Sequence, residues 1–171
     1  MELIQWSNLP NFSPSEFVDN INGFVNPELL YRLQKTRILL KEKIHPSPVE
    51  GSFVRFSGDP SSQHYVNVVH DKYSTGGDVF IEGIPLYNLF KILNSHLFGG
   101  IGVYLETYYK GIPWVMFHLD IRPFRPEGDG LLWFTTKKIS KGITKNVYHY
   151  PDIEYSSWNF LNDPILLTPK S

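Results

Sequence analysis

The sequence predicts an α+β domain in which N-terminal helices pack on a small, mainly antiparallel sheet. Helix-like periodicity occupies the first part of the chain, and strand-like patterns dominate the middle. The chain has 171 residues, of which 42% are hydrophobic and 19% charged, which is enough apolar sequence for a single domain spanning residues 1–171. Aromatic residues make up 15% of the chain, as is typical of strands or of an aromatic-lined cleft.

Three segments carry the signals that begin a helix. A capping residue followed by proline, or a proline at the first helical position, predicts each start. The first predicted helix is short and ends near Gly23, the second carries leucines at helical spacing and ends before His45, and the third ends at Gly99-Gly100. The three starts are Ser13-Pro14, Asn26-Pro27 and Ile84-Pro85.

Strand patterns follow from residue 52 onward. Runs of β-branched and aromatic residues predict strands at 52–57, 78–81, 101–105, 114–121 and 131–135. Lys110-Gly111 supplies the turn of a hairpin between the strands at 101–105 and 114–121. Residues 126–171 otherwise show no clear period, and we interpret them as an irregular C-terminal extension.

Charge and cysteine content exclude several classes of protein. The net charge of -1 and the lack of like-charge runs argue against a nucleic-acid binder or a polybasic membrane patch. Cysteine is absent, so a bound metal would have to be held by His, Asp or Glu. The first residues lack the pattern of a signal peptide, and no apolar run approaches the ~20 residues of a membrane span. We therefore expect a protein without a membrane span that is cytoplasmic at synthesis.

The segment 114–122 is the first candidate for chemistry. In a strand, the period of two puts Trp114, His118 and Asp120 on one face and the apolar residues between them on the other. A face that carries Trp beside His and Asp is either the floor of a cleft or an exposed strand face of mixed composition. The pattern alone favours neither interpretation.

The segment 70–78 is the second candidate. Asp78 follows Gly76-Gly77 at the entrance of a strand, where a carboxylate is either a ligand or only a turn cap. His70, like His64, is either a ligand or a surface residue. Taken together, the two candidate segments offer two imidazoles and two carboxylates, which is the ligand inventory of a catalytic zinc site with three protein ligands and one open position.

Several stretches of sequence also occur in an informative order. They are 12–17 followed by the helix at 26–34 and by Phe56-Ser57-Gly58; then 70–81; then the run Gly-Gly-Ile-Gly-Val-Tyr at 99–104 followed by Phe-His-Leu-Asp-Ile-Arg at 117–122. In this order they resemble the zinc D-alanyl-D-alanine carboxypeptidase family, which includes many phage endolysins and shares its fold with the Hedgehog signalling domain. The last pair of runs is the most specific part of the resemblance, which covers about residues 11–125.

The resemblance implies an activity and a set of metal ligands. The ligands of Zn²⁺ would be His70, Asp78 and His118, in a peptidase of the D,D-carboxypeptidase or endopeptidase type. Its zinc-bound water would attack amide bonds next to D-amino acids in the stem peptides of peptidoglycan. Asp120 would act as the general base or would instead orient a ligand histidine.

The resemblance also implies substrate-binding residues, and it leaves alternatives for the general base and for one metal ligand. Arg55 and Arg122 are the candidates for binding the substrate carboxylate, and Trp114 for lining the cleft. Glu106 is a second candidate for the base. The family's ligand His and Asp lie seven residues apart, whereas His70 and Asp78 lie eight apart, so His64 is the alternative ligand.

Two rival functions remain at this point. The chain could be a non-catalytic structural or binding protein on the same fold, such as a virion component, or an unrelated carbohydrate-binding domain without a metal. For the leading hypothesis we expect a monomer that reaches the cell wall through a holin or within a virion.

Overall fold

The computed structural model describes residues 3–125, 128, 130–140, 142–151 and 155–171. Within these residues the regular structure comprises three α-helices and six strands. The helices are α1 (Pro27–Leu40), α2 (Pro85–Ser95) and α3 (Pro164–Leu167). The strands are β1 (Ile44–Pro46), β2 (Gly76–Ile81), β3 (Gly100–Tyr109), β4 (Ile112–Asp120), β5 (Leu131–Ser140) and β6 (Ile143–His149).

The six strands form one mixed sheet in the order β1-β2-β4-β3-β5-β6. Neighbouring strands are antiparallel except β3 and β5, which run parallel. The prediction of an α+β fold is confirmed, but the helices are not clearly grouped at the N-terminus. Helix α2 connects β2 to β3 and α3 follows the last strand, because β2 pairs with β4 and the chain must cross the sheet before it enters β3.

Helix α1 follows from its local sequence. The Asn26 side chain accepts a hydrogen bond from the Glu28 backbone N–H at 3.0 Å, and Pro27 occupies the first turn. The leucines on one face are buried, and the helix ends at Leu40, after which Lys41 adopts a left-handed conformation with φ of 60°. None of the described helices is long and apolar enough to cross a membrane.

Two predicted elements are replaced by irregular structure that centres on Asp19. Its carboxylate accepts hydrogen bonds from the backbone N–H groups of Gly51, Phe53 and Val54 at 2.9, 2.7 and 3.1 Å. These donors are therefore satisfied without a neighbouring strand, and 52–57 is not a strand. The predicted first helix shortens to the 3-10 turn Pro14–Glu16, because Phe17 leaves it in an extended conformation to pack edge-on against Phe53.

The pairing of the central strands sets the two faces of the sheet. Val79, Val103 and Phe117 pair across β2, β3 and β4 and are completely buried on the core face. One position further along, Asp78, His118 and Gly102 pair in the same way, so their side chains lie on the opposite face. The predicted hairpin turn is confirmed at Lys110 and Gly111, both of which have positive φ angles.

Candidate metal centre

Three buried side chains converge on the face of the sheet opposite the core. His64 Nε2 lies 3.0 Å from His118 Nδ1, and Asp78 Oδ1 lies 2.9 Å from His118 Nδ1 and 3.4 Å from His64 Nε2. The three residues are between 5% and 7% exposed. Within the described part of the chain, these are the His and Asp side chains whose ligand atoms lie close enough together to hold a metal ion.

These separations fit a tetrahedral ion. Ligand bonds of 2.0–2.1 Å at tetrahedral angles put neighbouring ligand atoms about 3.3 Å apart. The three atoms of the cluster already lie at or slightly inside this separation, so small movements would accommodate an ion. Two imidazole nitrogens and one carboxylate oxygen, without sulfur, form a donor set that several divalent metals accept.

His118 presents one particular nitrogen to the cluster. Its Nε2 lies 3.1 Å from Asp120 Oδ2, and an ionised carboxylate can only accept a hydrogen bond. Nε2 therefore carries a proton, and Nδ1 is the nitrogen that faces Asp78 and His64 and whose lone pair becomes available to a metal ion when its own proton leaves. This is the usual arrangement of a metal-binding histidine that is oriented by a carboxylate behind it.

Asp120 is itself fixed by Arg122. Arg122 Nε donates to Asp120 Oδ1 at 2.7 Å, and an Nη of Arg122 donates to Asp120 Oδ2 at 2.5 Å. Gly100 makes room for this pair, because a Cβ at that position would lie 2.3 Å from Asp120 Oδ2. Asp120 is fully buried and does not line the cleft described below.

Burial and the neighbouring charges shift the pKa values of the residues in the cluster. Burial disfavours a charged His118, but the hydrogen bonds and charges of Asp120 and Asp78 outweigh it and raise the pKa of His118 to about 9. Burial likewise opposes ionisation of Asp78 and Asp120, yet their hydrogen-bonded partners hold both carboxyl pKa values below the usual range. Burial lowers the pKa of His64, which is therefore neutral at pH 7. In the metal-free cluster, the additional proton on His118 thus supplies the positive charge that a bound metal cation would supply beside the same carboxylates.

The centre opens into a cleft of about 450 Å³. His64, Asp78 and His118 lie in its lining, and the β3–β5–β6 part of the sheet contributes Tyr104, Trp133, Thr135 and Tyr148. The Trp133 ring lies 5.4 Å from the His118 ring and occupies space that a Cβ on Gly102 would fill. Of the two interpretations of the strand face at 114–122, the structure favours the cleft.

Charged residues line other parts of the same cleft. They are Arg55, Glu106, Arg122 and Lys137. Arg55 Nε donates to the Gly51 carbonyl at 2.6 Å, and the Lys137 backbone N–H donates to Glu106 at 2.7 Å. Arg55 and Arg122, the two arginines predicted to bind substrate, thus both line the cleft.

Two of the predicted site residues lie elsewhere. His70 is exposed in the 3-10 turn Val68–His70, away from the cluster, and His64 takes its place beside Asp78 and His118. Trp114 is 3% exposed, packs against Phe80 and Tyr109, and donates its indole N–H to the Ile81 carbonyl at 3.2 Å. Trp114 supports the strands and does not line the cleft.

Long-range hydrogen bonds bring His64 to the cluster. The Gln63 carbonyl accepts from the backbone N–H groups of Thr75 and Gly76 at 2.8 and 3.1 Å, which holds the residue before His64 against the start of β2. The unusual spacing of His70 and Asp78 was the available sequence signal that another histidine could be the ligand. No comparable signal marked Trp133, which lies in the predicted strand at 131–135, or Tyr148, which lies in the segment interpreted as irregular.

No protein-family model, curated protein or solved structure gives a significant match to the chain. The resemblance to the zinc carboxypeptidase family therefore stays a prediction.

Proposed function

We propose that the chain is a zinc-dependent peptidase that hydrolyses amide bonds next to D-amino acids in peptidoglycan stem peptides. The observation that carries the proposal is the convergence of His64 Nε2, His118 Nδ1 and Asp78 Oδ1 at an open cleft. The resemblance of 99–104 and 117–122 to the zinc carboxypeptidase family supports the substrate class.

Zinc is the metal that we propose for this donor set. Two neutral imidazoles and one carboxylate leave the ion with a net positive charge and one tetrahedral position for water or substrate. When bound, zinc would lower the pKa of its water to about 7 and polarise a substrate carbonyl. His64, Asp78 and His118 would hold the ion, with His64 in place of the expected His70.

The two carboxylates that are candidates for the general base suit different roles. Both oxygens of Asp120 are engaged by Arg122, one of them also faces His118, and the side chain is fully buried. Asp120 therefore suits the alternative role of orienting His118. Glu106 lines the cleft, and we assign it the transfer of a proton to the leaving amine.

The rival function is a non-catalytic binding or structural protein on the same fold. The observation that favours it is the burial of Asp120, which removes the carboxylate first expected to act as the base from the cleft. A protein of this kind could bind a metal and a cell-wall peptide without cleaving it.

Metal analysis followed by digestion separates these proposals. We expect about one zinc per chain in the purified protein and none in the His118→Ala variant. Peptidoglycan fragments incubated with the zinc-loaded protein should yield products whose masses identify the bond cleaved. Absence of zinc from the parent protein at stoichiometric levels would refute the enzyme and favour a metal-free binding domain.

Glu106→Gln distinguishes the enzyme from the rival. The enzyme proposal expects this variant to keep its zinc and lose about 10²–10⁴-fold in turnover, the range typical of a lost general acid or base. Zinc binding without any cleavage by the parent protein supports the non-catalytic alternative instead.

A further inference from the structure

Arg122 lies at the edge of the cleft, and two different roles are compatible with that location. A guanidinium there could bind a substrate carboxylate, as the sequence suggested, or it could act on the metal centre through Asp120. The hydrogen bonds of the side chain separate these roles. Its Nε and one Nη form a fork on the two oxygens of Asp120, and its backbone N–H also donates to Asp120 Oδ1 at 3.1 Å.

The fork determines where Asp120 Oδ2 lies. Asp120 is the last residue of β4, and its carboxylate contacts His118 through Oδ2 alone. Without the guanidinium, a fully buried carboxylate would lose a cationic partner and two of the hydrogen bonds that restrict its rotation. The ring of Trp133, 5.5 Å from the Arg122 guanidinium carbon, further restricts the arginine.

The two histidines of the cluster differ in this support. His118 Nε2 is held by Asp120, whereas His64 Nδ1 is buried without a partner in the described part of the chain. The orientation of the two imidazoles therefore depends on the contacts of His118. Arg122 begins the chain of contacts that ends at the His118 Nδ1 lone pair.

We propose that Arg122 is a positioning residue that holds His118 Nδ1 toward the metal through Asp120, and that Arg55 is the arginine available to substrate. The proposal rests on the proposed metal centre. Arg55 uses Nε on the Gly51 carbonyl, and no described side-chain acceptor holds its terminal nitrogens. Loss of a residue that orients a metal ligand typically weakens metal binding by about 10–100-fold.

The test compares Arg122→Met, Arg122→Lys and Arg55→Met by zinc affinity, measured in competition with a chromophoric chelator. We expect zinc binding to weaken by about 10–100-fold in Arg122→Met. Arg122→Lys keeps the charge but not the fork, so its affinity should lie between those of the parent and Arg122→Met. Arg55→Met changes an arginine of the same cleft and should bind zinc as the parent does.

A second readout uses the metal-free protein. The His118 Nε2–H should exchange slowly with solvent in the parent, because it donates to a buried carboxylate. Proton–nitrogen correlation spectra of the histidine rings should show at least tenfold faster exchange in Arg122→Met, while the backbone amides of β4 keep their protection. A merely structural role would speed the exchange of those amides as well.

Each outcome decides the proposal. Parent-like zinc affinity and parent-like Nε2–H exchange in Arg122→Met would overturn it, and so would equal weakening by Arg55→Met. If the parent binds no zinc, the proposed function fails, while the exchange experiment still decides whether Arg122 positions His118. If Arg122→Met does not fold, Arg122→Lys carries the comparison.

Discussion

His64 and His70 belong to the same polar segment but have opposite environments. His64 is 5% exposed and lies 3.0 Å from His118, whereas His70 is exposed at the end of a 3-10 turn. The two residues therefore form a matched pair for testing the metal centre, because the same substitution removes an imidazole from the cluster in one case and from the surface in the other.

We expect His64→Ala to weaken zinc binding by more than about 100-fold, because even residues behind the ligands cost 10–100-fold when removed. His70→Ala should bind zinc as the parent does. Isothermal titration with zinc measures both affinities. The assignment of His64 would be wrong if His70→Ala showed the larger loss.

Metal binding should also depend on pH through His118. Zinc needs the Nδ1 lone pair, and the pKa of His118 in the metal-free protein is about 9. Below that pH the ion must displace a proton, so we expect zinc affinity to rise with pH between 7 and 9 by up to about tenfold per unit. His64, whose pKa is lowered by burial, should add nothing in this window.

Calorimetric titrations with zinc at pH 7, 8 and 9, in buffers of different ionisation enthalpy, would measure both the zinc affinity and the number of protons released on binding. The His70→Ala variant serves as the control and should follow the parent curve. An affinity that stays flat from pH 7 to 9 would contradict a protonated His118.

At the scale of the elements, two glycines of the sheet lie on different faces, one against the metal centre and one against the core. Gly100 faces Asp120 and Arg122, and an added Cβ would lie 2.3 Å from Asp120 Oδ2. Gly77 faces the opposite side, and an added Cβ would lie 2.3 Å from the Phe53 ring. Both substitutions therefore overpack the same sheet, but on different faces.

We expect Gly100→Ala and Gly77→Ala each to lower the free energy of unfolding by about 1–3 kcal/mol. Only Gly100→Ala should also weaken zinc binding, because only its methyl group displaces Asp120. Urea unfolding and zinc titration of the folded variants measure the two effects. A Gly77→Ala variant with the greater loss of zinc affinity would show that the centre responds to the core and not to Asp120.

Two elements with local signals were predicted well. Helix α1 has its own cap, and β4 has a period of two that correctly paired His118 with Asp120 on one face. The strands β5 and β6 were harder to predict, because β5 pairs with the distant β3 and the outer halves of both strands are exposed. Their polar and apolar residues therefore do not alternate as they would in a half-buried strand.

The candidate site was predictable in part for the same reason. Asp78 and His118 follow from local pattern and resemblance, whereas His64 depends on hydrogen bonds of Gln63 with residues 75 and 76. The role of Asp120 depends on the fork from Arg122 and on burial. Periodicity carries no information about contacts of this kind.

At the scale of the whole molecule, the candidate ligands come from three separate segments. His64 lies in the loop before β2, Asp78 in β2 and His118 in β4. An ion that binds the folded chain and not the unfolded chain stabilises it by about 2.7 kcal/mol at a free concentration of 100 Kd. The metal centre should therefore add to stability as well as to chemistry.

We expect saturating zinc at that level to raise Tm by about 5–11 °C, since 1 kcal/mol shifts Tm by about 2–4 °C at this chain length. A chelator should reverse the shift, and His118→Ala should not respond to zinc. Differential scanning calorimetry with and without the chelator measures the effect. Equal stabilisation of the parent and of His118→Ala would mean that zinc binds elsewhere.

The turn that carries His70 has a practical consequence. The backbones of Asn67 and Lys72 pair with each other at 2.8 and 3.0 Å, so the residues between them form a loop that closes on itself. Val69 at its tip is 82% exposed. A fluorophore or an affinity tag attached there would sit close in sequence to a metal ligand without disturbing the backbone that holds it. The same closure would let this loop vary in length while the spacing of His64 and Asp78 in space stays constant.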